Sequence, residues 1–288
     1  MPLVSTADLL HSAASRRTGI GAFDVVQLEI GEALVAAAEE TRLPVVLQIS
    51  QEGVRSHGGL DAIGQALLAL AATSSAHVAV HLDRAQDEEL VRRAVHLGFG
   101  SVMFDSSARS SDERMEATMR VVEFAHADDV AVEAELGGLL GGATPGAGVD
   151  PQEARRVVTD TGLDCLAVAG GTVLTGRDPG ATAEFDLELI RHLRGAVAVP
   201  LSLDGVAGAS DEAVVAAIDA GVTKVNLSAG LNRSFTAAVR ARLLGDPALV
   251  DPEAYLRDGR DAVAAEAATL LRLLDVSGAD ADRAAVRR

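Results

Sequence analysis

Apolar residues recur along this chain in two alternating rhythms. Short continuous runs of strand length, rich in Val, Ile, Leu and Ala, fall at Gly19 to Val26, Pro44 to Ser50, His77 to Asp83, Ser101 to Asp105, Ala131 to Gly137, Cys165 to Gly170, Pro200 to Asp204 and Lys224 to Ser228. Between them, apolar residues return every three or four positions over Glu32 to Thr41, Leu60 to Ala72, Asp87 to Leu97, Asp112 to His126, Pro151 to Thr161, Asp186 to Leu193 and Asp211 to Ala220, which is the spacing of a one-sided helix. Strand followed by helix, eight times over, predicts an α/β fold of the (β/α)8 TIM-barrel type, with the helices covering the outside of a closed parallel sheet. An open doubly wound sheet is the alternative, but no Gly-x-Gly-x-x-Gly follows the first run. A capping pattern at Ser5 or Thr6 predicts a short N-terminal helix through Ala14. From about Asp251 to Arg288 the chain is rich in Ala, Leu and Arg at helical spacing, which predicts a C-terminal helical extension packed on the barrel or on a second subunit. No internal boundary interrupts the alternation, so residues 1–288 are expected to form one domain, with the barrel over about 19–243 and the helical tail over about 251–288.

Composition narrows the picture. Hydrophobic residues make up 48% of the 288 but aromatics only 2%, with no Trp, so the interior has to be built from Ala, Val and Leu, as barrel layers are. A net charge of −17 repels phosphate backbones and anionic lipid, which excludes nucleic acid and membrane as expected partners. The first residues lack a basic stretch followed by an apolar one, and no run of about 18 apolar residues occurs, so a cytoplasmic location is expected. The single cysteine, Cys165, precludes an internal disulfide or a cysteine metal cluster and reads as a small buried hydrophobe.

In a barrel of this kind the chemistry collects where strands end and the following loops begin. Those positions hold Asp24, Ser50, Asp83 with Arg84, Asp105, Glu135, Gly171 with Thr172, Asp204 with Gly205, and Asn226 with Ser228. Five carboxylates at one mouth cannot all stay ionised without a cation or a proton between them, because like charges raise one another's pKa. Arg84 and Lys224 are the cations at hand. Lys224 is the only lysine of the chain, so a Schiff-base role has to be weighed against that of a structural partner for an acidic residue.

Several segments together resemble a known family. Gly21-Ala22-Phe23-Asp24-Val25-Val26, Pro44 to Ser50, Ser101-Val102-Met103-Phe104-Asp105, Val132-Glu133-Ala134-Glu135-Leu136-Gly137 and Thr223-Lys224-Val225-Asn226 look like successive segments of the class II, zinc-dependent fructose-bisphosphate aldolases, including the tagatose-bisphosphate branch. The resemblance runs from about Ser5 to Leu243 and implies a TIM barrel, an aldol cleavage or condensation, and a homo-oligomer. It also implies zinc on three histidines, and this chain departs from the pattern at each. The family's His-x-Asp-His becomes His81-Leu82-Asp83-Arg84, its Gly-Thr-x-His becomes Gly171-Thr172-Val173-Leu174, and its His-Gly-Gly-Ser-Gly becomes Asp204-Gly205-Val206-Ala207-Gly208. Arginine and leucine cannot ligate zinc. The backbone cradle that the resemblance assigns to a substrate phosphate carries Val206 and Ala207, the family's Thr contact is Ala229, and the mobile loop's acidic pair is replaced by Thr144-Pro145.

No cofactor is therefore expected, and a guanidinium with a carboxylate is expected where the metal would be. Arg84 and Asp204 should lie within hydrogen-bonding reach with Arg84 largely buried, and could form a bidentate pair. With Asp83 and Glu135 they make the expected catalytic set, while Asp24, Ser50, Asp105, Gly171, Gly205, Lys224, Asn226 and Ser228 are expected to bind substrate. The favoured activity is a metal-independent carbon–carbon lyase, aldol-type condensing enzyme or proton-transfer isomerase on a hydroxy-carbonyl, sugar-like molecule. Two alternatives stay open: a non-catalytic barrel serving as an assembly partner, and an aldolase with an oxygen-ligated divalent metal held by Asp83, Asp105, Glu135 and Asp204.

Overall fold

A computed structural model describes residues 3–137, 150–169, 185–204, 206, 208–227 and 229–276. Its centre is a closed barrel of eight parallel strands in chain order: β1 (Ile20–Asp24), β2 (Val45–Ser50), β3 (Val78–Ala85), β4 (Ser101–Phe104), β5 (Ala131–Glu135), β6 (Cys165–Ala169), β7 (Leu201–Asp204) and β8 (Val222–Leu227). Closure is made by β1, which aligns Gly21 with Val45 of β2 on one side and with Val225 of β8 on the other. The helices between strands are α2 (Leu28–Thr41), α4 (Leu60–Thr73), α5 (Glu88–Leu97), α6 (Ser111–His126), α7 (Pro151–Thr161), α8 (Leu187–Ala196) and α9 (Asp211–Ala220). Flanking and additional helices are α1 (Thr6–Arg16), α3 (Gln51–Ser56), α10 (Ala229–Gly245) and α11 (Pro252–Leu274).

Local chemistry accounts for the element ends. Asp87 caps α5 by accepting from the Glu89 amide at 2.9 Å, and Gly98 leaves that helix with φ 94°, a conformation that costs side chains with a Cβ. Asp150 caps α7 ahead of Pro151, whose missing N–H is not needed at a first helical position. Several sequence expectations are off by a few residues. Helix α2 begins at Leu28 rather than Glu32, β5 ends at Glu135 rather than Gly137, β8 begins at Val222 so that Lys224 is its third residue, and the short helix α3 was not expected at all.

Two cores divide the apolar residues. The larger lies between the outer face of the sheet and the helices. The smaller sits inside the barrel at the end where strands begin, where Leu9, Leu10 and Ala13 of α1 meet Ile20, Ala22, Val46, Ala79 and Cys165. Helix α1 thus seals the bottom and leaves the opposite end for polar groups. The expected C-terminal helix is α11, which packs against α2 and α10 of the same chain and buries Val263, Ala267, Leu271 and Leu274. Each such leucine contributes about 1.5–3 kcal/mol when removed from water. Gly259 lets α11 approach α10 closely, because a Cβ there would lie 2.6 Å from the Phe235 ring. The tail beyond Val276 lies outside the described residues.

Candidate active site

The polar mouth is organised by an irregularity in β3. Leu82 pairs with Val102 and Ala85 with Phe104, so Asp83 and Arg84 together stand opposite the single residue Met103. That is a bulge, and Arg84 adopts φ 48° within it. A non-glycine residue in this left-handed region is disfavoured by about 1–2 kcal/mol. The distortion has a structural result. Regular alternation would send Asp83 inward and Arg84 to the outer face, whereas here Arg84 crosses the barrel end to reach Asp204 on β7, with Nη2 donating to Oδ2 at 2.7 Å.

Around this contact the other side chains assemble. Asn226 at the end of β8 donates through Nδ2 to the second Asp204 oxygen, so both oxygens of that carboxylate are engaged. Arg84 Nε lies 3.8 Å from Asp83 Oδ2, and Nη1 lies 3.7 Å from Glu135 Oε2. Asp24 accepts from Gln48 Nε2 at 2.7 Å, and Asp105 accepts from Gln86 Nε2 at 2.8 Å. Ser50, aligned with Asp83 in the sheet, accepts from the Gly53 amide and so caps α3, which leaves its hydroxyl hydrogen for another partner. The structure therefore brings together Asp24, Ser50, Asp83, Arg84, Asp105, Glu135, Asp204 and Asn226 at one end of the barrel. Gly171, Thr172, Leu174, Gly205, Ala207, Ser228 and the loop with Thr144 and Pro145 lie outside the described residues, as does the Ala229 side chain.

One expectation needs correction, and one open reading narrows. The Arg84–Asp204 contact is present, but Arg84 is not buried: 48% of its side chain is exposed, while that of Asp204 is 7% exposed. The bulge lifts the guanidinium into the open mouth and leaves only the carboxylate below. The two groups are within the expected hydrogen-bonding reach, through a single nitrogen rather than a bidentate fork. Lys224, grouped with the substrate contacts, is fully enclosed, and its Nζ donates to Glu133 Oε2 at 2.8 Å. Its side chain presents no surface to the mouth. Of the two readings of Lys224, the structural partner is the one the geometry carries.

Below the mouth lies a polar layer that sequence reading missed. Glu133 accepts from both Lys224 and Ser202, and His81, also fully buried, pairs through Nδ1 with Ser101 Oγ at 2.7 Å. A signal was available: Glu133 and Glu135 alternate with alanine and valine, so both face the barrel interior.

Burial and mutual charge set the acidities. Asp83 is pushed up to about 7, chiefly by burial, with Asp204 and Asp24 adding and Lys224 opposing. Burial also raises Glu135, against the pull of Arg84, and it raises Asp24 despite the Gln48 hydrogen bond. Burial acts upward on Asp105 too, but hydrogen bonds from Gln86 and Ser107 outweigh it and hold that carboxyl below its usual value. Burial acts downward on Lys224, yet Glu133 and Asp83 outweigh it and keep the pKa above the ordinary lysine range. Cys165 is buried, and its thiol is pushed well above the usual range, which makes it unreactive.

The donor set does not fit zinc. Of the positions where the resemblance expects imidazoles, one carries a guanidinium, which has no lone pair to give, and one a carboxylate already bonded to that guanidinium and to Asn226. The alternative oxygen site would share its space with Arg84, whose nitrogens stand 2.7–3.8 Å from Asp83, Glu135 and Asp204. Among the described residues no group of three or more His, Cys, Asp or Glu is arranged to hold a metal ion.

A barrel with this mouth belongs to a recognisable class of enzyme. The family described as fructose-bisphosphate aldolase class-II matches residues 4–279, and the chain belongs to that family, which makes it an aldolase-type lyase. Among its relatives, a fructose-bisphosphate aldolase of Geobacillus stearothermophilus is 37% identical, over 96% of this chain and 99% of its own. The crystal structure of the YdjI aldolase from Escherichia coli K12 superposes with a TM-score of 0.81 at 27% identity, covering 94% of this chain and 97% of that one. A fructose-bisphosphate aldolase from Campylobacter jejuni, at 20% identity and TM-score 0.77 over 94% and 95% of the two chains, shares the fold.

Proposed function

We propose that the chain cleaves or forms a carbon–carbon bond by aldol chemistry without a metal, on a hydroxy-carbonyl substrate that need not carry phosphate. The observation that carries this reading is the position of Arg84, pinned to Asp204 where the family would place a metal and facing Asp83 and Glu135. In the cleavage direction, Asp83 takes the proton of the substrate's β-hydroxyl. The bond between the α and β carbons then breaks to release an aldehyde, and its electron pair passes to the carbonyl oxygen as an enolate. Arg84 meets that oxygen with the N–H groups not used on Asp204, an electrostatic role of the kind that contributes most to such reactions. Glu135, whose carboxyl burial raises above its ordinary pKa, returns a proton to the enolate carbon and recovers its own as Asp83 discharges to water. Asn226 and Asp204 hold the guanidinium in place, and Ser50 and Asp24 orient hydroxyls.

An unphosphorylated substrate agrees with the mouth's charge. Its described residues include Asp24, Asp83, Asp105, Glu135 and Asp204 around a single guanidinium. Val206, at a glycine of the family's phosphate cradle, is buried in the larger apolar core. Each lost charge-assisted hydrogen bond to phosphate weakens binding by roughly 1.5–3 kcal/mol. The test is a cleavage assay on paired phosphorylated and unphosphorylated ketoses, with metal content measured on protein purified without chelator. The expected result is turnover of the unphosphorylated member that survives chelation. One tightly held zinc per chain, or efficient cleavage of fructose 1,6-bisphosphate, would overturn the reading.

A further inference from the structure

Beneath Asp83 runs a hydrogen-bonded chain that neither the family resemblance nor the proposed mechanism uses. Thr6, at the start of α1, accepts from Ser101 Oγ at 2.8 Å, and Ser101 Oγ in turn meets His81 Nδ1 at 2.7 Å. All three residues are buried, and His81 is completely so. A serine hydroxyl has one hydrogen, and Thr6 Oγ1 stands within reach to take it. With that hydrogen on Thr6, His81 Nδ1 is the donor to Ser101, and in a neutral ring this leaves a lone pair on Nε2. Burial and the Lys224 charge hold the imidazole well below its ordinary pKa, so the ring is neutral.

Nε2 faces Asp83 Oδ1 at 3.9 Å, and among the described residues neither atom has a hydrogen-bond partner. The distance bears on the tautomer. An N–H aimed at a carboxylate oxygen closes to about 2.7–2.9 Å, whereas two acceptors stay apart. The spacing decides between the tautomers, and the bonding order that agrees with it runs from His81 Nδ1 through Ser101 to Thr6.

We propose that His81 is a positioning residue whose tautomer, fixed by Thr6 through Ser101, presents a lone pair rather than an N–H to the inner oxygen of Asp83 and so keeps that carboxylate basic. The opposite tautomer would donate to Oδ1, stabilise the anion and weaken the base. The inference rests on the reading of Asp83 as the proton acceptor. It adds that the strength of this base is set from the sealed end of the barrel, by a residue of the first helix.

The other charged or titratable groups around Asp83 are Lys224 on β8, Asp204 on β7, Asp24 on β1, Glu133 on β5 and the adjacent Arg84. Substitution at Thr6 alters none of them. Thr6→Val keeps the shape but removes the acceptor, so the Ser101 hydroxyl turns to His81 Nδ1 and moves the ring proton to Nε2. The Asp83 titration midpoint should then fall by about one to two pH units, as expected for one added charge-assisted hydrogen bond. Thr6→Ser retains the hydroxyl and should behave as the parent does.

The experiment is nitrogen NMR of the His81 ring in the full chain, with carbon NMR of the Asp83 carboxyl read across a pH titration and the acid limb of kcat/KM followed alongside. Support is a parent ring protonated at Nδ1, reversed in Thr6→Val with a lowered Asp83 midpoint and acid limb, and restored in Thr6→Ser. A parent ring protonated at Nε2, or a Thr6→Val midpoint equal to the parent's, overturns the proposal. If no aldol activity is found while both NMR readouts behave as stated, the tautomer inference stands and the lyase reading fails. Should Thr6→Val not fold, Ser101→Ala frees the ring by the same logic, and an unchanged midpoint there overturns the proposal equally.

Discussion

Two ion pairs, one above the other in the same barrel, show how burial changes what a charge contributes. Lys224 and Glu133 are sealed off from water, with Ser202 on the other carboxylate oxygen. Arg84 and Asp204 lie nearer the mouth, where Arg84 is half exposed and sits in a disfavoured backbone conformation. The lower pair is a fixed part of the interior: both side chains are enclosed, and neither could be solvated without opening the barrel. The upper pair has spare donors, water access and local strain, which are features of a group that has to meet a ligand. The same chemistry is therefore structural at one level and available for catalysis at the next.

The largest effect should come from breaking the sealed pair. Lys224→Met alone should destabilise the fold by about 3–5 kcal/mol, because it leaves Glu133 buried and unpaired, whereas pairing it with Glu133→Gln should recover most of the loss. Chemical denaturation of the two single variants and the double one measures this. Singles no worse than the double would mean that the layer is hydrated and the contrast between the two pairs is false.

Asp83→Asn is expected to divide stability from activity. Proton transfer by a positioned side chain contributes about 10²–10⁴-fold, so turnover should fall by that order. Stability should change in the other direction above neutral pH. The folded pKa of Asp83 is raised from 3.8 to about 7, so the folded protein holds this proton more tightly than the unfolded chain does. Its contribution to stability is present below about pH 4 and is lost as pH rises through about 7, a loss on the order of 4 kcal/mol that the amide avoids. Thermal unfolding against pH should show a shallower alkaline decline in the variant than in the parent; parallel curves would remove the case for a buried, weakly acidic Asp83.

A smaller effect is expected at Arg84. Arg84→Lys keeps the charge but loses the planar fork, so kcat should fall at least tenfold while stability changes by no more than about 1 kcal/mol, as for other solvent-exposed pairs. A stability loss as large as that of Lys224→Met would make the upper pair structural as well. Least of all should change on metal removal: dialysis against a chelator is expected to leave turnover and unfolding temperature where they were, and loss of either would return a cation to the mouth.

Local pattern was enough to read the barrel. Eight apolar runs alternate with helical spacing because each strand and helix buries its own face, so the periodicity is written residue by residue, and the strands appear where those runs fall. The candidate site was legible as residue types at strand ends, since parallel closure carries all those ends to one mouth. Several decisive features were not local. The chain by itself does not show that β3 takes an extra residue against β4, and that bulge is what brings Arg84 to the mouth and keeps it half exposed. Nor does Lys224 reveal on which side of the sheet, or how deep, it lies; strand register puts it beside Glu133 with its side chain enclosed. His81 is one letter in a motif, and only the tertiary structure sets Ser101 and Thr6 behind it and Asp83 in front. Side-chain type is a property of the sequence, while depth, facing and proton position arise from contacts between segments far apart along the chain.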